Sequence, residues 1–170
     1  MATKWIRFAS FLFAALALIP SGAHLLELPN KIDLAGPAYL TVQQIYRGWS
    51  LAGIVVVGAL ASIAILAFLV RGDRSQFVPA MIALLCIAGT QAVFWTLNFP
   101  VNQETQNWTT LPANWEALRQ RWETGHAMSA ALNLAALMAL IAAMPDGDRA
   151  SAGLNTKRRL DRLELEEIES

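Results

Sequence analysis

Residues 49–70 and 77–99 of this chain contain no charged residue, and between Leu51 and Val70 only Ser62 and two glycines interrupt the apolar surface. A helix in a soluble bundle needs a polar stripe to meet water, and this segment has none anywhere around its circumference. Lipid is the solvent that fits it, because a helix in hydrocarbon satisfies its backbone polar groups internally. Two further apolar blocks, residues 8–26 and 125–144, bring the number to four, each near the roughly 20 residues a bilayer crossing takes. Hydrophobic residues make up 55% of the 170-residue chain and charged ones 15%, in long blocks and not at an amphipathic period. The expected fold is all-α: a four-transmembrane-helix bundle over residues 1–145, then a polar tail over 146–170.

Lys and Arg set the expected orientation. Lys4, Arg7, Arg71, Arg74, Arg149, Lys157, Arg158, Arg159 and Arg162 fall on one side of a four-span layout, and Lys31, Arg47, Arg119 and Arg121 on the other. The bias places both termini in the cytoplasm and the connectors 28–48 and 100–122 outside. The expected location is a membrane crossed several times, the bacterial inner membrane. A second reading of the N-terminus competes: Lys4 and Arg7, the apolar run to Ile19, then Pro20 and Ser21-Gly22-Ala23 have the form of a cleavable signal peptide. Leu25, Leu26 and Leu28 carry the apolar run past that cut and favour a span.

Charge and polarity inside a span are costly, about 2.5–3.5 kcal/mol for a mid-membrane charge on insertion scales, so their placement is informative. Ser21, His24 and Glu27 form a stripe on the first span, Gln91, Trp95 and Asn98 on the third, and Glu123, His126 and Asn133 on the fourth. All three stripes lie in the outer half, while the inner half is almost wholly apolar. The expectation is an outward-facing polar pocket above a dry plug, which disfavours a channel. Tyr46, Trp49, Trp108, Trp115 and Trp122 are candidate walls or an interfacial aromatic belt. Trp95 is the better candidate for contact with a flat ligand.

His24 and His126 are the two histidines of the chain, each with a carboxylate three residues away, Glu27 and Glu123. On a helix such pairs share a face. Two imidazoles and two carboxylates make a ligand set for a divalent metal. With no carboxylate on spans two and three, a mononuclear site or a haem held by the two histidines is more economical than a dinuclear centre. The competing reading needs no ion: Glu27 pairs with Lys31 and Glu123 with Arg119, both at i, i+4. Without a cofactor, His126 is a candidate general base, with Asn98 and Asn102 holding a substrate oxygen.

The single cysteine, Cys86, sits within the third span, which excludes intrachain disulfide chemistry. Asn107-Trp108-Thr109 matches a glycosylation sequon. In the tail, Lys157-Arg158-Arg159 precedes a glutamate-rich end, a pattern of solvated segments. Equal numbers of basic and acidic residues, 13 each, give no ground for nucleic-acid binding.

The run Phe99-Pro100-Val101-Asn102, followed by Trp115, Arg119, Arg121, Trp122 and His126, resembles the signature of the anthrone oxygenase-like family of small four-helix membrane proteins. The resemblance implies an integral membrane bundle and, for the few fungal members with a role, oxygenation of an anthrone to an anthraquinone. Family members often carry an arginine three residues after the histidine; this chain has Ser129. Three functional classes stand at this point. They are an oxidoreductase or oxygenase acting on a lipophilic aromatic or quinone-like molecule with His126 and His24 as candidate catalytic residues, and Gln91, Trp95, Asn98, Asn102 and Trp122 lining the substrate; a binding or accessory subunit of a larger membrane complex, holding lipid, haem or metal; and a purely structural bundle.

Overall fold

A computed structural model describes residues 2–145; the tail expected over 146–170 lies outside the described residues. The chain is all-helical in this region. Helix α1 spans Ala2–Lys31, α2 Gly36–Gln43, α3 Ala52–Leu69, α4 Arg74–Val93, α5 Phe99–Glu104 and α6 Trp115–Ala142. A π-helical turn, Phe94–Asn98, joins α4 to α5, so that Arg74–Glu104 runs as one continuous helical rod. Four helices are long and apolar enough to cross a membrane: Ala2–Lys31, Trp49–Leu69, Arg74–Glu104 and Trp115–Ala142. The chain is an integral membrane protein with four spans.

Helix α1 packs on α3 and α6, and α4 packs on the same two, which closes a ring of four. Small residues make this possible. Ala14, Ala59, Ala80, Ala83 and Ala136 are fully buried around Ile63, Ile87 and Leu140, and short side chains let membrane helices approach closely where no hydrophobic force drives them together. Gly58 takes the Phe13 ring of α1 against its backbone, in space a methyl group would occupy. The large side chains point outward instead: Phe8, Ile19, Leu26, Ile54, Phe68, Leu85 and Met138 are all more than half exposed. This apolar girdle is the bilayer contact.

The helices run further than hydropathy alone implies. α1 continues through Pro20 and Pro29, and α6 begins at Trp115, ten residues before the apolar block, because its polar first turns have partners in α2 and α5. At the end of the bundle where α1 begins, Asp73 caps α4, accepting from the Ser75 amide at 2.9 Å and from the Ser75 hydroxyl at 2.6 Å. These hydrogen bonds hold its carboxyl below the usual range. Arg7 of α1 donates to the Ala143 carbonyl at 2.7 Å and to Gln76 at 2.7 Å, tying three helices at that end.

The opposite end is closed by a roof. Residues 36–51, comprising α2, the tight turns Gln44–Tyr46 and Trp49–Leu51, and Gly48 in the left-handed region (φ 89°), fold over the ends of α1 and α6. Tyr39 is fully buried there against Val101, Trp108, Leu118 and Trp122.

Candidate functional site

The site forms where the end of α1 meets the beginning of α6 beneath this roof. His24 (4% exposed), Lys31 (2%) and Glu123 (3%) are buried at its centre. Residues 24, 27 and 31 recur at helical spacing, so α1 presents one imidazole, one carboxylate and one ammonium on a single face. Lys31 Nζ lies 3.2 Å from His24 Nδ1, 3.0 Å from the Tyr46 hydroxyl, 3.3 Å from Glu123 Oε1 and 3.7 Å from Glu27 Oε2. A buried charge persists only when paired and hydrogen-bonded, and Lys31 is held by all four groups.

From the sequence, Lys31 is expected on the outer side and as a partner of Glu27 alone. The expected pairing of Arg119 with Glu123 does not form: Arg119 lies one turn nearer the roof and donates to the Leu34 carbonyl at 2.7 Å, its guanidinium over Trp115. Lys31 takes both carboxylates.

Both tyrosines of the chain complete the cluster. Tyr39 donates to Glu123 Oε1 at 2.7 Å and accepts from Gln43, while Tyr46 donates to Glu27 and accepts from Lys31. Burial, reinforced by the adjoining carboxylate, pushes both phenols well above their ordinary value. Glu27, with 39% of its side chain exposed, connects the cluster to its surroundings. Tyr39 and Gln43 escaped the sequence reading, although their i, i+4 spacing on α2 was a usable signal.

The histidine rings stack. His24 and His126 lie 4.0 Å apart between centroids and 31° from parallel; Trp122, one turn from His126, closes on it at 4.1 Å. Lys31 Nζ can only donate, so His24 Nδ1 is its acceptor and the ring proton resides on Nε2. Among the described residues no group donates to or accepts from the His126 ring, which is half-buried.

The four-ligand set of His24, Glu27, Glu123 and His126 converges in part, but on the Lys31 ammonium. Among the described residues no three His, Cys, Asp or Glu side chains gather as metal ligands. A dication would have to share the carboxylates with a cation already among them, so the arrangement does not fit a metal without displacement of Lys31. It does not fit a haem either: rings stacked at 4.0 Å leave no space for a porphyrin plane between them.

The remaining expected site residues divide. Trp122 is in the cluster, and two of the asparagines serve it: Asn98 donates to its carbonyl at 2.9 Å, and Asn102 accepts from its indole N–H at 2.8 Å. Gly125 is required here, because a methyl group at that position would collide with the Asn98 amide. Gln91 is half-buried and reaches only Thr90, at 3.5 Å. Trp95 is 57% exposed and stacks on Phe99 at 4.7 Å, away from the cluster. An uninterrupted α-helix aligns 91, 95 and 98; the π turn at Phe94–Asn98 breaks that register and turns Trp95 to the lipid side. Two helical turns below His126, Asn133 clamps α6 to α1 through Ser21 (3.0 Å) and the Ala17 carbonyl (3.3 Å).

The expected open pocket is filled. Most of its polar groups pair with one another under the roof, while Gln43 Oε1, Trp108 Nε1, Arg119 Nε and Glu123 Oε2 are buried without a hydrogen bond; a groove of about 410 Å³, lined by Leu97, Ala117, Gln120, Arg121 and Thr124, lies on the outside of α6. The π turn preceding Phe99–Asn102 is tied to α6. Pro100 cannot donate to the Thr96 carbonyl, and Arg121 donates to it instead. Comparison with protein-family models, with curated protein sequences and with solved structures returns no match.

Proposed function

We propose that this protein is an oxidoreductase of the anthrone oxygenase-like kind, acting on a lipophilic aromatic or quinone-like molecule at the His24/His126 end of the bundle, with both termini cytoplasmic and this end facing outward from a bacterial inner membrane. The observation that carries the reading is His126: an imidazole flanked by aromatic rings, half-buried, and without a hydrogen-bond partner among the described residues, where His24 and Trp122 beside it are both hydrogen-bonded. Its free nitrogen is the general base that takes a proton from an activated carbon or phenol. The resulting anion forms beside Lys31 and the Nε2–H of His24, which favour negative charge, and is then open to dioxygen. Access from the bilayer is supported by α3, whose first buried residue is Ala59: residues 49–58 leave the cluster screened on that side chiefly by Trp49, itself 38% exposed.

Oxygen uptake by the protein in lipid nanodiscs with an anthrone or a hydroquinone tests this. Turnover lost in His126→Gln with unchanged helicity is expected; no acceleration over protein-free nanodiscs by the wild type would remove the oxygenase reading. The second reading, an accessory subunit of a larger membrane complex, is favoured by the mutual pairing of Lys31, Glu27, Glu123 and both tyrosines, which leaves the roof closed. Copurification of a stoichiometric partner would support it.

A further inference from the structure

Four of the six tryptophans and both tyrosines lie at this end of the bundle in an unbroken series. Ring centroids are 5.1 Å apart from Trp49 to Tyr46, 6.1 Å from Tyr46 to Trp122, 6.0 Å from Trp122 to Trp108, 4.9 Å from Trp108 to Tyr39, and 6.4 Å from Tyr39 to Trp115. Indole and phenol are the most readily oxidised of the aromatic side chains, and an electron crosses such gaps easily. The two ends differ: Trp49 is at the bilayer side of the roof, and Trp115 at the outer turn of α6.

From this series and its carboxylates we infer that Tyr46 and Tyr39 are redox-active, joined by Trp122 and Trp108 into a path that carries an oxidising equivalent from the membrane side of the site to its outer surface. A phenol that loses an electron becomes a strong acid, so its oxidation is accessible only where a base stands ready for the proton. Each tyrosine here donates its hydroxyl to a glutamate, Tyr46 to Glu27 and Tyr39 to Glu123. Lys31, at 3.0 Å, remains a donor to the Tyr46 oxygen after the proton has gone.

The oxidant is an organic peroxyl radical of the lipid phase. It takes one electron from Tyr46 and becomes a hydroperoxide anion, which is protonated from water; the phenol proton passes to Glu27, leaving a neutral tyrosyl radical and a carboxylic acid. Refilling of Tyr46 by electrons from Trp122, Trp108 and Tyr39 in turn moves the radical to Tyr39, the Tyr39 proton passing to Glu123 and the Glu27 proton returning to Tyr46; a water-soluble enediol then gives one electron to Tyr39 by way of Trp115, releasing its own proton to water, and the Glu123 proton returns to the phenol. The inference does not rest on His126 acting as a base, and the two fail separately.

The test uses the full chain in nanodiscs with flash-generated tris(bipyridine)ruthenium(III) as oxidant, read by transient absorption and by electron paramagnetic resonance after rapid freezing. The wild type is expected to give a neutral tyrosyl spectrum. Tyr46→Phe should reduce its yield several-fold, Tyr46→Phe with Tyr39→Phe should leave only tryptophanyl radical, and Glu27→Gln, which keeps an oxygen acceptor but not the base, should slow tyrosyl formation. Ring-deuterated tyrosine in the unaltered chain alters the hyperfine pattern of a tyrosyl radical alone, and so answers the question without any substitution. A radical confined to Trp5 or Trp95, the exposed tryptophans outside the series, and insensitive to tyrosine deuteration, would overturn the inference.

Discussion

Lys31, the last residue of α1, places its ammonium 3.3 Å from Glu123 near the start of α6, with both side chains at least 97% buried. This contact joins the two helices that carry the histidines, and it keeps a second carboxylate, Glu27, at 3.7 Å. Removing the cation leaves the buried Glu123 carboxylate without its counter-charge, with the partly exposed Glu27 nearby. Breaking a buried pair from one side costs about 3–5 kcal/mol, whereas replacing both partners is often neutral. Lys31→Met should therefore lower the thermal midpoint of the detergent-solubilised protein sharply, and adding Glu123→Gln should recover much of the loss. Equal midpoints for Lys31→Met and wild type would show that the pair contributes nothing.

The tyrosines give a pH signature that can be read directly, because Tyr39 and Tyr46 are the only two in the chain. Burial and a carboxylate acceptor raise both above the ordinary value of 10.0. A raised folded pKa means that the stabilisation is complete below about pH 10 and is lost as pH rises through the folded values. The tyrosinate absorbance band should stay flat as pH passes 10 and grow only together with loss of helical circular dichroism. A full rise near pH 10 in the still-helical protein would contradict the hydrogen bonds drawn to Glu27 and Glu123.

Much of this arrangement is written in the chain, and the rest depends on contacts no periodicity reports. The uncharged blocks fix the spans because hydrocarbon admits so few alternatives, and the i, i+3 pairing of His24 with Glu27 and of Glu123 with His126 marks the end of the bundle where the polar groups meet. Trp95 lies away from its expected place because a π turn is a local change in helical pitch that a 3.6-residue period does not contain. Lys31 was underrated for a different reason. Its alkyl stem spans the distance from α1 to α6, and only the packing of those helices reveals that its ammonium lies among four partners and not at the surface. The roof was hidden because α2 is short, with Tyr39 and Gln43 its main polar markers.

Gly125 separates close packing from helix propensity. A methyl group there would run into the Asn98 amide, which holds the Trp122 carbonyl at 2.9 Å, whereas one at Gly53 meets nothing within 4 Å. Gly125→Ala should be destabilising by about 1–3 kcal/mol, the usual range for overpacking, and should alter the fluorescence of Trp122. Gly53→Ala, in the first turn of α3, should be neutral or stabilising by less than the about 1 kcal/mol propensity difference of a helix interior. Parallel denaturation of the two variants checks this; a neutral or stabilising change in Gly125→Ala would mean that Asn98 yields without cost.

The tautomer of His24 follows from its partner. A lysine ammonium has three donors and no acceptor, so the 3.2 Å contact with Nδ1 obliges that nitrogen to present a lone pair and leaves the ring proton on Nε2. With two histidines in the chain, selective 15N labelling gives two rings to assign. In one of them Nε2 should resonate as a protonated nitrogen and Nδ1 as a hydrogen-bonded acceptor, and in Lys31→Met the Nδ1 signal should move toward that of a free imine nitrogen. The His126 ring, without such a partner, should hardly respond. If His24 instead shows the Nδ1–H tautomer in the wild type, Lys31 is not its donor. The Nε2–H proposed to meet a developing anion beside His126 would then be absent, and the proton chemistry of the site would have to be assigned to other groups.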